Sequence, residues 1–67
     1  MEILETDTIE NLTFRLVDKT YDFTEFVIEI ERADKTTHVT GIWNIFDARR
    51  IYANLCRNPQ FARILFP

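Results

Sequence analysis

Hydrophobic and polar residues alternate along two stretches in the first half of the chain, residues 12–17 and 23–32. A period of two residues is typical of a β-strand that buries one face. Both stretches are also rich in the β-branched and aromatic residues that suit a pleated surface. The sequence therefore predicts two strands with a common buried face. The hydrophobic positions of that face are Leu12, Phe14, Leu16, Phe26, Ile28 and Ile30.

The segment between these stretches, residues 18–22, is expected to be a turn that makes the two strands an antiparallel hairpin. If Val17 pairs with Phe23, hydrophobic residues lie opposite one another on the buried face. The same register places Arg15 opposite Glu25, which adds a charge pair. We therefore predict an antiparallel hairpin in this register.

A third strand is predicted at residues 36–42, where threonine and valine are frequent. The sequence leaves open which face of this strand is buried. In one orientation Val39 and Trp43 face the core. In the other orientation His38 and Ile42 do so.

A helix is predicted to begin at Asn44, because an asparagine followed by an acidic residue such as Asp47 in the first turn caps a helix and complements its dipole. It is expected to end near Arg57, ahead of Asn58 and Pro59, since the residue before a proline is pushed out of helical geometry. Six hydrophobic positions share an arc of about 140° on this helix. They are Ile45, Ala48, Ile51, Tyr52, Leu55 and Cys56.

The last segment, residues 59–66, is expected to be a second short helix. Phe61, Ile64, Leu65 and Phe66 crowd it. We expect these residues to fold back over the sheet and complete the core. The alternative is an exposed hydrophobic cluster, which would mark a dimer or partner site.

Together these elements predict a single small α+β domain spanning residues 1–67. Three strands form an antiparallel meander, with a fourth, short edge strand near Ile3 and Leu4. One main C-terminal helix packs on one face of the sheet, and a short terminal helix follows. A sheet covered by one layer of helix leaves a second surface, on which a homodimer could form.

The composition excludes several classes of enzyme and metal protein. There is one cysteine, Cys56, one histidine, His38, one glycine and no serine. A disulfide, a zinc site within one chain, a serine-based triad and a glycine-rich nucleotide loop therefore lack their residues. No bound cofactor is expected. Cys56 and His38 would have to meet to form a cysteine hydrolase, and Cys56 instead belongs to the hydrophobic face of the helix.

The N-terminus lacks the basic start and hydrophobic run of a signal peptide. No stretch approaches the roughly 20 hydrophobic residues that cross a bilayer. A cytoplasmic protein without a membrane partner is expected.

Charge is divided unevenly along the chain. Residues 1–43 carry ten acids and four bases, a balance of −6, whereas residues 44–67 carry one acid and four bases, a balance of +3. If the basic C-terminal part packs beside the acidic sheet, the opposite charges of the two parts compensate each other. Each part could instead select a partner.

Three glutamates, Glu25, Glu29 and Glu31, are predicted to share the outer face of the second hairpin strand. Carboxylates two residues apart on a strand are separated by about 7 Å. They are expected to be ionised and solvated there, and so unsuited to acid catalysis. Such a row also approximates every second phosphate of a nucleic-acid strand, so an acidic nucleic-acid mimic is an alternative.

Phe46, Arg50 and Arg57 are predicted to share the outer arc of the main helix. Arginine and aromatic residues are over-represented at the centres of protein interfaces. They also occur in nucleic-acid sites, but a net charge of −3 opposes binding to a polyanion. A protein interface is the better interpretation, and nucleic-acid binding through this helix is a second alternative.

The function expected from the sequence is therefore that of a non-enzymatic binding protein that docks on a larger protein and inhibits or regulates it. Small acidic regulators of phages and mobile elements are the analogy. No catalytic and no metal-binding residue is assigned. The predicted partner-binding residues are Phe46, Arg50, Arg57, Phe61, Phe66, Glu25, Glu29 and Glu31.

Overall fold

The computed structural model describes residues 2–65 and, within them, all side chains except those of residues 22 and 23. Four strands precede two C-terminal helices, and a short helix interrupts the strands. In chain order the elements are β1 (Glu2–Ile9), β2 (Leu12–Asp18), α1 (Thr20–Phe23), β3 (Phe26–Arg32), β4 (Lys35–Ile42), α2 (Ile45–Arg57) and α3 (Pro59–Arg63).

The strands form one antiparallel meander in the order β1-β2-β3-β4. The predicted α+β class, the meander, the main helix packed on it and the short terminal helix are thus confirmed, and the fourth strand is present. That strand is longer than expected, since β1 has eight residues and pairs along the whole of β2. A tight turn at Glu10 and Asn11 makes this possible, with Glu10 at a φ of 59°.

The register between β2 and β3 differs from the predicted one by four residues. Val17 lies opposite Val27 instead of Phe23, and Arg15 lies opposite Glu29 instead of Glu25. The reason is that the connection contains α1, so the chain turns later than a simple turn at residues 18–22 would allow. Because four is an even number, the same side chains still face the core.

A β-bulge in β4 makes each of the two predicted orientations correct for one part of the strand. One residue lies between Phe26 and Ile28 on β3, but two lie between their partners, Ile42 and Val39. The additional residue is accommodated where Gly41 adopts a φ of 79°. Val39 and Ile42 therefore both reach the core. The expectations that Trp43 or His38 faces inward are wrong, because the bulge turns Trp43 to solvent and His38 pairs with Glu29.

The core lies between the sheet and α2. Helix α2 packs across β2, β3 and β4, and the predicted hydrophobic arc is confirmed, with Ala48 and Tyr52 buried. Val17 and Val27 are also buried and face each other on the other side of the sheet. The buried cluster consists of Leu12, Phe14, Leu16, Ile28, Ile30, Ile42, Ala48, Tyr52 and Ala62.

Phe61 and Ile64 do not complete this core. Ala62 is the buried residue of α3, whereas the side chains of Phe61 and Ile64 are 55% and 75% exposed. The expectation that they fold back over the sheet is wrong, because the small side chain of Ala62 occupies the contact instead. Phe66 lies outside the described residues. Within residues 2–65, no helix has the length and hydrophobicity needed to cross a bilayer.

Candidate protein-interaction surface

Two large aromatic side chains project into solvent where α2 begins. Trp43 is 78% exposed and Phe46 is 79% exposed. Asn44 fixes the geometry between them, because its Oδ1 accepts hydrogen bonds from the backbone N–H of Phe46 at 2.7 Å and of Asp47 at 3.4 Å. The cap starts the helix at Ile45, and Phe46 then points away from the sheet.

Phe46 continues into a row along the outer side of α2. At 3.6 residues per turn, Phe46, Arg50 and Arg57 fall within an arc of about 40°. The row spans eleven residues and thus about 16 Å. All three residues are exposed, so the sequence placed them correctly on one outer face. Trp43, Phe46, Arg50 and Arg57 are called the α2 stripe below.

A groove of about 260 Å³ lies beside this stripe. Its lining includes the hydrophobic side chains of Ile42, Trp43 and Ile51 together with the charged Asp47 and Arg50. Arg50 Nη2 is 3.0 Å from Asp47 Oδ1, and both side chains are largely exposed. The groove therefore combines hydrophobic lining with one ion pair at the surface.

Most arginines of the C-terminal part are paired with carboxylates. Arg49 Nη1 lies 3.0 Å from Glu5 Oε2, and Arg63 Nη2 lies 2.8 Å from Glu10 Oε2. Arg57, by contrast, forms no ion pair with another described residue. The pairs join the basic C-terminal part to the acidic first hairpin, as the charge division of the sequence suggested.

The glutamates do not form a row of free carboxylates. Arg15 binds two of them, through Nε to Glu29 Oε1 at 3.2 Å and through Nη2 to Glu31 Oε1 at 2.6 Å. The hydrogen bond with Glu31 makes the largest contribution to raising the pKa of Arg15, and the hydrogen bond with Glu29 adds to it. Glu25 precedes β3, and its Oε2 accepts the backbone N–H of Gly41 at 2.9 Å. The three predicted partner-binding glutamates thus serve contacts within the chain.

Cys56 and His38 lie on different sides of the sheet. Cys56 belongs to α2 and packs against the core, where burial raises the pKa of its thiol. His38 lies on the opposite face, with Nε2 at 3.4 Å from Glu29 Oε2. The structure therefore does not bring together the two residues that a cysteine hydrolase would need. Among residues 2–65, no three histidine, cysteine, aspartate or glutamate side chains converge as a metal site would require.

A second groove, of about 280 Å³, opens on the face of the sheet opposite α2. Its lining includes Lys19, Glu25, Val27 and His38. Glu25 already binds Gly41, and His38 already faces Glu29. Glu25 and His38 of this groove are therefore already engaged within the chain, whereas the aromatic side chains of the α2 stripe are exposed to solvent.

Trp43 is the residue of this surface that the sequence did not identify. A strand alternation without interruption would turn it inward together with Val39. The signal for the outward position is the single glycine, Gly41, two residues earlier, since an isolated glycine in a strand often marks a bulge.

Comparison with protein-family models, curated proteins and solved structures finds no match for this chain.

Proposed function

We propose that this chain is a non-enzymatic binding module that docks on a larger protein through the α2 stripe and thereby inhibits or regulates it. The observation that carries the proposal is the exposure of Trp43 and Phe46, 78% and 79%, at the start of one helix. Large aromatic side chains grouped on a surface and flanked by arginine are typical of interface centres. Their exposure in the isolated chain leaves hydrophobic area that a partner would cover.

The charges around the stripe indicate the chemistry of the partner. Arg50 is only partly compensated, by the exposed Asp47, and Arg57 has no carboxylate partner among the described residues. The complementary surface is therefore a hydrophobic pocket with an acidic rim. Such a rim would steer association and make its rate sensitive to salt. The exposed Phe61 and Ile64 of the C-terminal end extend the hydrophobic area available to the partner.

The two nucleic-acid alternatives receive less support from the contacts. A phosphate mimic needs unpaired carboxylates, and Arg15 neutralises Glu29 and Glu31. A nucleic-acid interface on α2 needs unpaired arginines, and of the arginines of α2 only Arg57 lacks a carboxylate partner among the described residues. Docking on a protein also uses the exposed hydrophobic area of Trp43 and Phe46, which a phosphate mimic does not require.

The direct test is capture of partners from a host lysate by wild-type protein and by single variants, with mass spectrometry and calorimetry on the partner found. Phe46→Ala is expected to weaken binding by at least about 30-fold, since it removes a central aromatic residue. Its thermal stability should stay unchanged, because the side chain is 79% exposed. Arg50→Ala should also weaken binding.

The matched control is Tyr21→Ala, because Tyr21 is 94% exposed and belongs to α1, remote in sequence from the stripe. This variant should bind as the wild type does. Retention of full affinity by both Phe46→Ala and Arg50→Ala would refute the proposal.

A second variant separates docking from nucleic-acid mimicry. Glu25, Glu29 and Glu31 are replaced together by glutamine. Docking through the α2 stripe predicts that affinity changes little. A mimic would lose its partner, and the wild-type affinity would already fall steeply with salt.

A further inference from the structure

Strand β4 forms one edge of the sheet, and its outer side has no neighbouring strand within residues 2–65. An exposed edge presents backbone N–H and C=O groups that can pair with another strand. Proteins usually protect such edges with charges, prolines or bulges. Between Lys35 and the bulge at Gly41, residues 36–39 of β4 are two threonines, a histidine and a valine, with no carboxylate and no proline. This part of the edge is unprotected.

The other edge differs in its charge. Strand β1 carries Glu2, Glu5 and Asp7, and a bulge interrupts it between Ile3 and Glu5. Two copies of β1 placed side by side would bring carboxylates together, which is destabilising. Of the two edges, β4 is therefore the one suited to self-association.

The direction of the backbone groups of β4 follows from its hairpin with β3. A two-residue turn joins Arg32 to Lys35, and such a turn hydrogen-bonds the residues at its two ends. Hydrogen-bonded and non-hydrogen-bonded pairs then alternate along an antiparallel ladder. Thr37 is consequently bonded to β3, whereas the N–H and C=O groups of Thr36 and His38 point outward.

We propose that two copies of this chain pair through β4 in antiparallel orientation, with a two-fold axis at Thr37. Thr36 of each copy then lies opposite His38 of the other and exchanges two backbone hydrogen bonds with it. Lys35 lies opposite Val39, and no like charges oppose each other. The product is a continuous eight-stranded sheet with the two helix layers on one face.

The bulge selects this register. The N–H of Gly41 is already bound to Glu25 Oε2 at 2.9 Å, and Gly41 has a φ of 79°. The regular part of the edge therefore ends before Gly41. An axis at Thr37 confines pairing to residues 35–39, whereas an axis at His38 would extend it to Thr40 and into the bulge. The pairing uses backbone groups of residues 35–39 and no residue of the α2 stripe, so the proposal does not rest on docking through that stripe.

Sedimentation equilibrium of the purified chain tests the proposal between about 10 µM and 1 mM, where weak interfaces associate. The expected result is a reversible monomer–dimer equilibrium. Thr36→Pro removes the outward N–H that the dimer needs and leaves the bonds to β3 intact. It should raise the dissociation constant at least about tenfold, since two hydrogen bonds are lost per dimer.

Thr36→Ala is the matched control, because it removes the same hydroxyl group and keeps the N–H. Its dissociation constant should equal that of the wild type. Circular dichroism establishes that both variants fold. Should Thr36→Pro not fold, amide hydrogen exchange of the wild type decides: the Thr36 and His38 amides should become more protected as concentration rises.

Several results would overturn the proposal. They are a monomer throughout the concentration range, an equal dissociation constant for Thr36→Pro, and concentration-dependent protection that maps to residues 61–65 instead of β4. Assembly beyond the dimer would also contradict it, since it would indicate pairing of β4 with the acidic β1 edge of the next copy.

Discussion

Tyr52 links the helix layer to the first hairpin through its phenol group. Its side chain is 3% exposed, and its hydroxyl group lies 2.6 Å from Asp7 Oδ2 and 3.1 Å from the backbone oxygen of Phe14. Burial first, and then the hydrogen bond to Asp7, raise the pKa of the phenol well above its usual range. One residue thus joins α2 to both β1 and β2.

Replacement of Tyr52 by phenylalanine should lower the free energy of unfolding by about 1 kcal/mol at neutral pH, because the hydrogen bonds are lost while the ring remains. Urea denaturation measures the change. Tyr21→Phe, at a tyrosine that is 94% exposed, is the control and should leave stability unchanged. An equal effect of both substitutions would contradict the assigned role of the phenol.

The pH dependence of this contribution follows from the raised pKa. In the unfolded chain a tyrosine ionises near pH 10, whereas the folded chain holds the proton of Tyr52 to higher pH. The contribution is therefore complete below about pH 10 and is lost as pH rises above that value. The difference in unfolding free energy between wild type and Tyr52→Phe should stay constant up to about pH 9 and shrink above about pH 10.

Single residues differ in how far the sequence reveals their position. Asn44 was identified as the helix cap, because capping depends on local backbone geometry and a short-range pattern. Trp43, its neighbour, was not placed, because its exposure depends on a bulge formed against β3. Local hydrogen bonds can be predicted from the chain, but a side-chain direction set by a neighbouring strand cannot.

At the level of elements, the first turn of α2 depends on one side chain. Asn44→Ala removes the acceptor of the Phe46 and Asp47 N–H groups and should cost about 1 kcal/mol of stability. Asn54→Ala is the matched control, since Asn54 is exposed within the same helix and alanine favours helices. Thermal denaturation of both variants measures the effect. Equal melting temperatures would contradict the capping role.

The strands were predicted with correct faces and an incorrect register. The alternation of Leu12, Phe14 and Leu16 fixes which side of β2 is buried, whatever strand lies opposite. The register depends instead on the length of the connection, which includes the four-residue helix α1. A helix this short has no hydrophobic periodicity that the sequence could display.

At the level of the whole molecule, ion pairs join the two oppositely charged parts of the chain. Arg49 binds Glu5, and Arg63 binds Glu10 and the side chain of Asn11. All these groups are exposed, so each pair should contribute no more than about 1 kcal/mol. Together they connect the C-terminal helices to the first hairpin.

The variant Arg49→Ala/Arg63→Ala should therefore lose about 1 kcal/mol of unfolding free energy at low salt and much less at about 1 M salt, where such charges are screened. Urea denaturation at both salt concentrations measures this difference. Arg57→Ala removes an arginine that has no ion-pair partner among the described residues and should show a smaller salt-dependent loss, limited to its interaction with the dipole at the end of α2. A loss in the double variant that is the same at both salt concentrations would indicate packing instead of charge.

The fold and the candidate site also differ in predictability at this scale. The α+β arrangement follows from alternation, capping and helix periodicity, which the chain displays locally. The exposure of Phe61 and Ile64 does not, because a hydrophobic residue in a short terminal helix is equally consistent with core and surface. Here the contact of Ala62 with the core decides the orientation of α3.

The β-bulge at the end of β4 depends on the left-handed backbone conformation of Gly41. Its φ of 79° is costly for any other residue, and a Cβ built at this position would meet no atom within 4 Å, so backbone strain alone restricts substitution. A β-branched residue there would favour an unbroken alternation, which turns Trp43 into the interior and Ile42 out of it. The exposure of Trp43 thus depends on a residue that has no side chain, and a single substitution at Gly41 would withdraw one of the two large aromatic side chains from the surface where α2 begins.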